Sequence, residues 1–162
     1  TKEDLVAAIV GEKMREVTEQ GRALLTAPDP GDALFELMQE MVGRQQTDRA
    51  LFEAVADTFL ANQEILKAYE DLVGVIEQLV VRAQEAGAIR GDVGALDLVM
   101  MIKGACEAAN ALHHIDPQIA QRQLDLVRAA ISVAAAEQPL RGRAPTIKDF
   151  ERASATAAQK TA

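Results

Sequence analysis

Two adjacent histidines, His113 and His114, and a lone cysteine, Cys106, are the side chains in this 162-residue chain with the most obvious metal or nucleophilic chemistry. Neighbouring residues on a helix point about 100° apart, so the two imidazoles do not converge on one ion. A di-iron bundle needs Glu-x-x-His on two helices, and here Glu107 is followed at that spacing by Asn110. The histidine pair reads better as a polar helix end, where an imidazolium meets the negative end of the dipole. Cys106 sits among small residues without a basic neighbour, which fits a buried small hydrophobe rather than a thiolate. One cysteine also excludes an internal disulfide and a multi-Cys zinc site. The scattered glycines make no phosphate loop, and no Arg/Lys stripe alternates with aromatics as single-strand binding requires. No metal, cofactor or catalytic residue is expected, and the chain does not read as an enzyme.

What remains is a set of large, soft side chains. Met and aromatic residues line adaptable cavities for small molecules, although each alone reads better as ordinary core. The candidate effector pocket is Phe35, Met38, Met41, Phe52, Phe59, Leu66, Tyr69, Val73, Met100, Lys103 and Glu107. Gln45, Gln63 and Asn110 could add orienting polar groups, while Lys103 and Glu107 also read as a solvated i, i+4 pair.

The elements that position these residues are helical. Apolar types make up 49% of the chain, yet there are only four Phe, one Tyr and no Trp. The aliphatic content is alanine-heavy, which favours closely packed helices. A first helix runs from about Lys2 to Leu25, with Thr1 and Asp4 as a weak cap pair and Leu5, Ala8 and Ile9 on its apolar edge. Asp29-Pro30 opens a second, carrying Leu34, Leu37, Met38, Met41 and Val42 at i, i+3, i+4, i+7 spacing. A short third helix starts at about Asp48. The fourth runs from an Asn62 cap to Ala86, and its two adjacent apolar stripes place it centrally; Gly87 ends it. The fifth, about Ala95 to His113, leaves one narrow polar strip at Lys103, Glu107 and Asn110, so it should be sandwiched. Asp116-Pro117 starts the sixth, which Pro139 stops. The fold class is all-α, six helices and no sheet.

Gly104/Ala108 and Ala105/Ala109 recur every four residues and let another helix approach closely. With the broad apolar face of the sixth helix, they suggest that the last two helices form a four-helix interface with a second copy. The expected dimer residues are Leu98, Ile102, Ala105, Ala109, Leu112, Leu124, Val127 and Ile131.

A formal net charge of −8 and a pI near 4.8 argue against this stretch gripping phosphate backbones by itself. No apolar run approaches the ~18 residues that cross a bilayer, and Thr1-Lys2-Glu3-Asp4 is unlike a signal peptide. A cytoplasmic protein without a membrane partner is expected. One domain covers residues 1–138, with 1–25 as its first helix and 95–136 as the dimerisation helices; 139–162 form an extension whose last part is disordered.

Two segments resemble the TetR family of repressors. Thr1-Lys2-Glu3-Asp4-Leu5-Val6-Ala7-Ala8-Ile9 resembles the stretch directly after the family's DNA-binding helix-turn-helix. Arg82-Ala83-Gln84-Glu85-Ala86-Gly87-Ala88-Ile89-Arg90-Gly91-Asp92-Val93, then Asp97-Leu98, is similar to the family's junction between a pocket helix and the first dimer helix. The resemblance spans about residues 1 to 150. It implies a homodimeric, TetR-like C-terminal domain that binds a small apolar or amphipathic effector and lowers operator affinity in response. It also implies that operator DNA is read only through an N-terminal helix-turn-helix absent from this chain, with 1–25 as the connecting helix. A coupling of roughly 1–3 kcal/mol corresponds to about 5–150-fold in DNA affinity. The alternative is a stand-alone helical small-molecule carrier or oligomerisation module with no regulatory role.

Overall fold

Side-chain caps fix most of the helix starts. In the computed structural model, which describes residues 1–51, 62–110, 112, 115–135 and 140–149, Thr1 and Asp4 form a full capping box at the start of helix α1 (Lys2–Leu24). The short Asp4 carboxylate therefore reaches the cap backbone as a Glu would. Asp29 accepts from the Asp32 amide, and Pro30 occupies the first position of α2 (Pro30–Thr47). Asn62 accepts from the amides of Glu64 and Ile65 to start α3 (Gln63–Glu85). Gly87 comes after α3 at φ 69°, the left-handed conformation that glycine adopts without penalty.

Helix α4 (Ala95–Asn110) is capped by Glu77 of α3, whose carboxylate accepts from the Ala95 amide at 3.1 Å. Helix α5 (Ile119–Ile131) begins later than Asp116-Pro117 predicts. Asp116 spends its carboxylate on the Gln118 amide at 2.9 Å, closing a turn ahead of the helix. The helix also stops well before Pro139. Ser132 turns extended and forms an isolated antiparallel bridge with Ile89, while the Arg90 amide donates to the Ile131 carbonyl at 2.9 Å. A 3-10 turn, Val133–Ala135, comes next. The predicted short helix after Asp48 falls mostly on 52–61, outside the described residues, as do His113, His114 and the tail from 150.

Helix α3 is central, packed against α1, α2 and α4. The main core joins α2 through α5 around Leu34, Leu37, Met38, Ile76, Leu79, Leu98 and Leu124. A second, smaller core holds Ala7, Val10 and Met14 of α1 against Ile65 and Ala68 of α3. The chain is all-helical; among the described residues no strand forms.

Three expectations need correcting. The buried edge of α1 is Ala7, Val10, Met14 and Val17, whereas Leu5 and Ile9 face outward, Leu5 being 63% exposed. Within the chain itself the wet side of α4 is wider than the strip Lys103, Glu107 and Asn110: Met100, Gly104 and Ala108 are exposed as well. Seven of the eight expected dimer residues, Leu98, Ile102, Ala105, Ala109, Leu124, Val127 and Ile131, are buried in the chain's own core, leaving Leu112 exposed. The largest and most continuous apolar stripe of each helix is consumed by the single chain, because folding buries the strongest hydrophobic face first.

Candidate functional site

Helices α2 and α3 bring part of the expected pocket together. Phe35, Met38 and Val73 are buried in the main core, with Met41 partly buried against it. Leu66 is half-buried. Tyr69 is also half-buried, and it packs against both the main core and the small one. It is the polar group of this set, and burial pushes its phenol above the ordinary tyrosine range. On α3, Leu66, Tyr69 and Val73 recur at i, i+3, i+7 and so share one face. Phe52 and Phe59 lie outside the described residues.

The remaining members do not join them. Met100 is 59% exposed, and Lys103 and Glu107 are exposed as well. At about 100° per residue, these three fall on the side of α4 away from Leu98, Ile102 and Ala109. Gln63 is exposed, and Asn110 donates to Glu107 at 3.4 Å rather than inward. Cys106 is buried, and burial, with a smaller contribution from Glu107, pushes its thiol up to about 11. It is held protonated and unreactive.

Two surface grooves have no counterpart in the sequence pattern. One, of about 390 Å³, lies between the α3–α4 connection (Gly91 to Gly94) and residues 140–144. Asp92 accepts there from Arg90 and from the Leu140 amide at 2.8 Å, and both bonds hold its carboxyl well below the usual range. The other, of about 300 Å³, lies where α2, α5 and Ala88 meet. Arg128 stands over the Phe35 ring there, 4.3 Å from its centre, and pairs with Asp32 at 3.0 Å. Nothing in the spacing of Asp32 and Arg128, 96 residues apart, signals that contact.

The first helix is tied to the rest by charge as well as packing. Arg44 of α2 bonds Glu16 of α1 and, at 2.6 Å, Glu40 of its own helix. Arg44 in turn holds the Glu16 carboxyl below its ordinary value. Lys13 pairs with Asp48 at 3.6 Å. At the other end, Arg82 of α3 donates to the carbonyls of Leu24 and Ala27, where α1 finishes.

A long first helix laid on a helical body is the arrangement that the resemblance of the opening segment implies. Residues 29–140 match the family model for the SbtR-like transcriptional regulator C-terminal domain, one of the TetR C-terminal types. The chain belongs to the TetR family. The crystal structure of a TetR transcription regulatory protein from Mycobacterium vanbaalenii is similar to it, at 26% identity and a TM-score of 0.58, over 82% of this chain and 71% of that one. No curated protein matches. The TetR match runs from the cap of α2 to Leu140, so it takes in Tyr69 and the second groove but not α1. No described helix is long and apolar enough to cross a membrane.

Proposed function

We propose that this chain is the ligand-sensing and dimerising body of a TetR-family regulator. A small apolar or amphipathic effector binds beside Tyr69, against Met38, Met41, Leu66 and Val73, and weakens operator binding by a DNA-reading domain joined ahead of α1. The observation that carries the proposal is the divided core, with half-buried Tyr69 common to both parts. A ligand entering there is sheltered by apolar side chains and meets a hydroxyl that can orient it. It also lies against the core part that supports α1, the helix leading toward the DNA-reading side.

Two copies pair through the outward face of α4 and α5. Met100 and Leu126 are 59% and 54% exposed, Leu112 and Val133 are exposed too, and a Cβ placed on Gly104 would meet nothing within 4 Å. Met100, Gly104 and Ala108 make one stripe, and Leu126, Ala129 and Ala130 line the outer side of α5. Exposed apolar stripes on adjacent helices, with small residues between large ones, fit a self-complementary helical interface.

A thermal-shift screen with small apolar and amphipathic compounds tests the sensing role. At a concentration of ~100 Kd a ligand stabilises by about 2.7 kcal/mol, which raises Tm measurably. A hit should be weakened in Tyr69→Leu; a hit that this substitution leaves intact removes the effector from Tyr69. Light scattering should return a dimer for the unsubstituted chain, and a monomer would sink the pairing.

A further inference from the structure

The second groove, where α2, the α3–α4 connection and the end of α5 meet, has a well-tied framework. A Cβ placed on Gly31 would come within 2.8 Å of the Ala88 Cβ, so the first turn of α2 lies directly on the connection. Ile89 bridges Ser132, and the Arg90 amide donates to the Ile131 carbonyl at 2.9 Å, which fastens the connection to the end of α5. The volume of about 300 Å³ is at the lower end of the range for small-molecule sites. At about 100° per residue, Arg128 lies on the far side of α5 from Leu126, so the groove is clear of the pairing face proposed above.

A cation already sits in this groove. The Arg128 guanidinium lies 4.3 Å from the centre of the Phe35 ring, and its Nη2 donates to Oδ1 of Asp32 at 3.0 Å. These contacts are the two halves of organic-cation recognition: a ring face that attracts positive charge and a carboxylate that pairs with it. The arginine is nonetheless a loose occupant. Its side chain is 54% exposed and that of Asp32 71%, and an ion pair in that much water is weak. The pair is also single-pointed, without the forked geometry that makes guanidinium–carboxylate pairs strong. Phe35, by contrast, is only 8% exposed, and its place in the main core does not depend on Arg128. Asp29, whose Oδ1 accepts from the Asp32 amide, adds a second carboxylate to the groove wall. Two carboxylates outweigh the half-charge of the α2 N-terminus, so the groove favours a cation once Arg128 leaves.

We propose that this groove is a second binding site, separate from the one beside Tyr69, for a flat organic cation of the amidinium or guanidinium class. The ligand displaces the Arg128 side chain, lays its flat face on Phe35 and makes a two-pronged pair with Asp32, while Arg128 turns out into water. Arg128 is therefore an internal competitor, and Phe35 and Asp32 are the recognition pair. The site does not rest on the sensing role proposed for Tyr69.

The test is a titration of the isotope-labelled 162-residue chain with benzamidine, followed by backbone amide resonances, with benzoate as the anionic counterpart. Shifts should gather at Asp32, Ala88 and Ser132. Arg128→Ala should tighten benzamidine binding by roughly 3–30-fold, the combined effect of losing one exposed ion pair and one exposed cation–π contact from the competitor. Asp32→Asn should weaken it about tenfold or more, and Tyr69→Leu should leave it unchanged. Arg128→Gln repeats the release in case the alanine variant loses its helical spectrum. Shifts that gather around Tyr69 instead overturn the site, as does their absence from the parent and both Arg128 variants. So does an Asp32→Asn chain that binds as well as the parent, or an Arg128 variant that binds more weakly. Benzoate binding here in place of benzamidine makes this an anion site and overturns the proposal equally. None of these outcomes bears on a ligand hit at Tyr69.

Discussion

Arg82 Nη2 lies 3.0 Å from the carbonyl oxygen of Ala27, and Nη1 lies 3.3 Å from that of Leu24, so one side chain of α3 finishes α1. The last carbonyls of a helix have no partner within it, and they carry the negative end of its dipole. A guanidinium answers both needs with a planar pair of donors. The same residue sits in the last turn of α3, so it favours that helix end too.

Arg82→Met should therefore cost about 1–3 kcal/mol, the range for losing charge-assisted bonds at a partly buried site. Arg82→Lys should recover only part, because one ammonium cannot match the forked geometry. Urea denaturation measures both. Equal stability of the methionine variant would mean that water replaces the guanidinium without loss.

Two glycines in helix interiors should respond with opposite signs. Gly21→Ala gains helix propensity but drives a methyl group into Val75, and overpacking of that kind costs roughly 1–3 kcal/mol. Gly74 in α3 has nothing within 4 Å of a Cβ and is exposed. Gly74→Ala should stabilise by up to about 1 kcal/mol from propensity alone. Thermal melts of the two variants side by side are sufficient; a stabilised Gly21→Ala would argue against close packing of α1 on α3.

Local signals made the helices legible. Asp29-Pro30, the Asn62 cap and Gly87 mark real boundaries because they act through neighbours within a few residues. Faces were harder. Leu5 and Ile9 look as apolar as Val10 and Met14, and only the arrival of Ile65 and Ala68 from α3 selects between the two edges. On α4, the periodicity located an apolar helix but not which side the chain itself would use. Leu98, Ile102 and Ala109 meet α2 and α5 at home, and that leaves Met100, Gly104 and Ala108 outside. Tyr69 and Met38 were recognisable by type; Arg128 over Phe35 depends on a long-range approach that carries no pattern along the chain.

Neighbouring alanines on α4 separate pairing from folding. Ala109 is 1% exposed, so Ala109→Arg buries an unpaired cation and should unfold the chain, which circular dichroism would report. Ala108 is exposed, so Ala108→Arg should keep the helical spectrum while converting the dimer to a monomer in light scattering. A folded Ala108→Arg chain that remains dimeric would move the interface away from this face.

Acid should loosen the α3–α4 connection. The Arg90 guanidinium, itself only 8% exposed, and the Leu140 amide both bond to Asp92 and hold its carboxyl well below the usual range. A carboxyl whose folded value is depressed contributes stability that is fully present above its unfolded value, about 3.9, and is lost as pH falls through the folded one. The Arg143 guanidinium, with Thr146, depresses Asp149 in the same way, so the segment after Leu140 loses its tie to Asp92 and its own internal ion pair over one acid range. Asp92→Asn should lower Tm at pH 7 and speed hydrogen exchange at the Leu140 amide. Its deficit should shrink below about pH 4, where the carboxyl of the unfolded parent takes up a proton that the folded one refuses and the parent's advantage falls. A deficit that stays constant from pH 7 to pH 2 would assign the loss to packing rather than to charge.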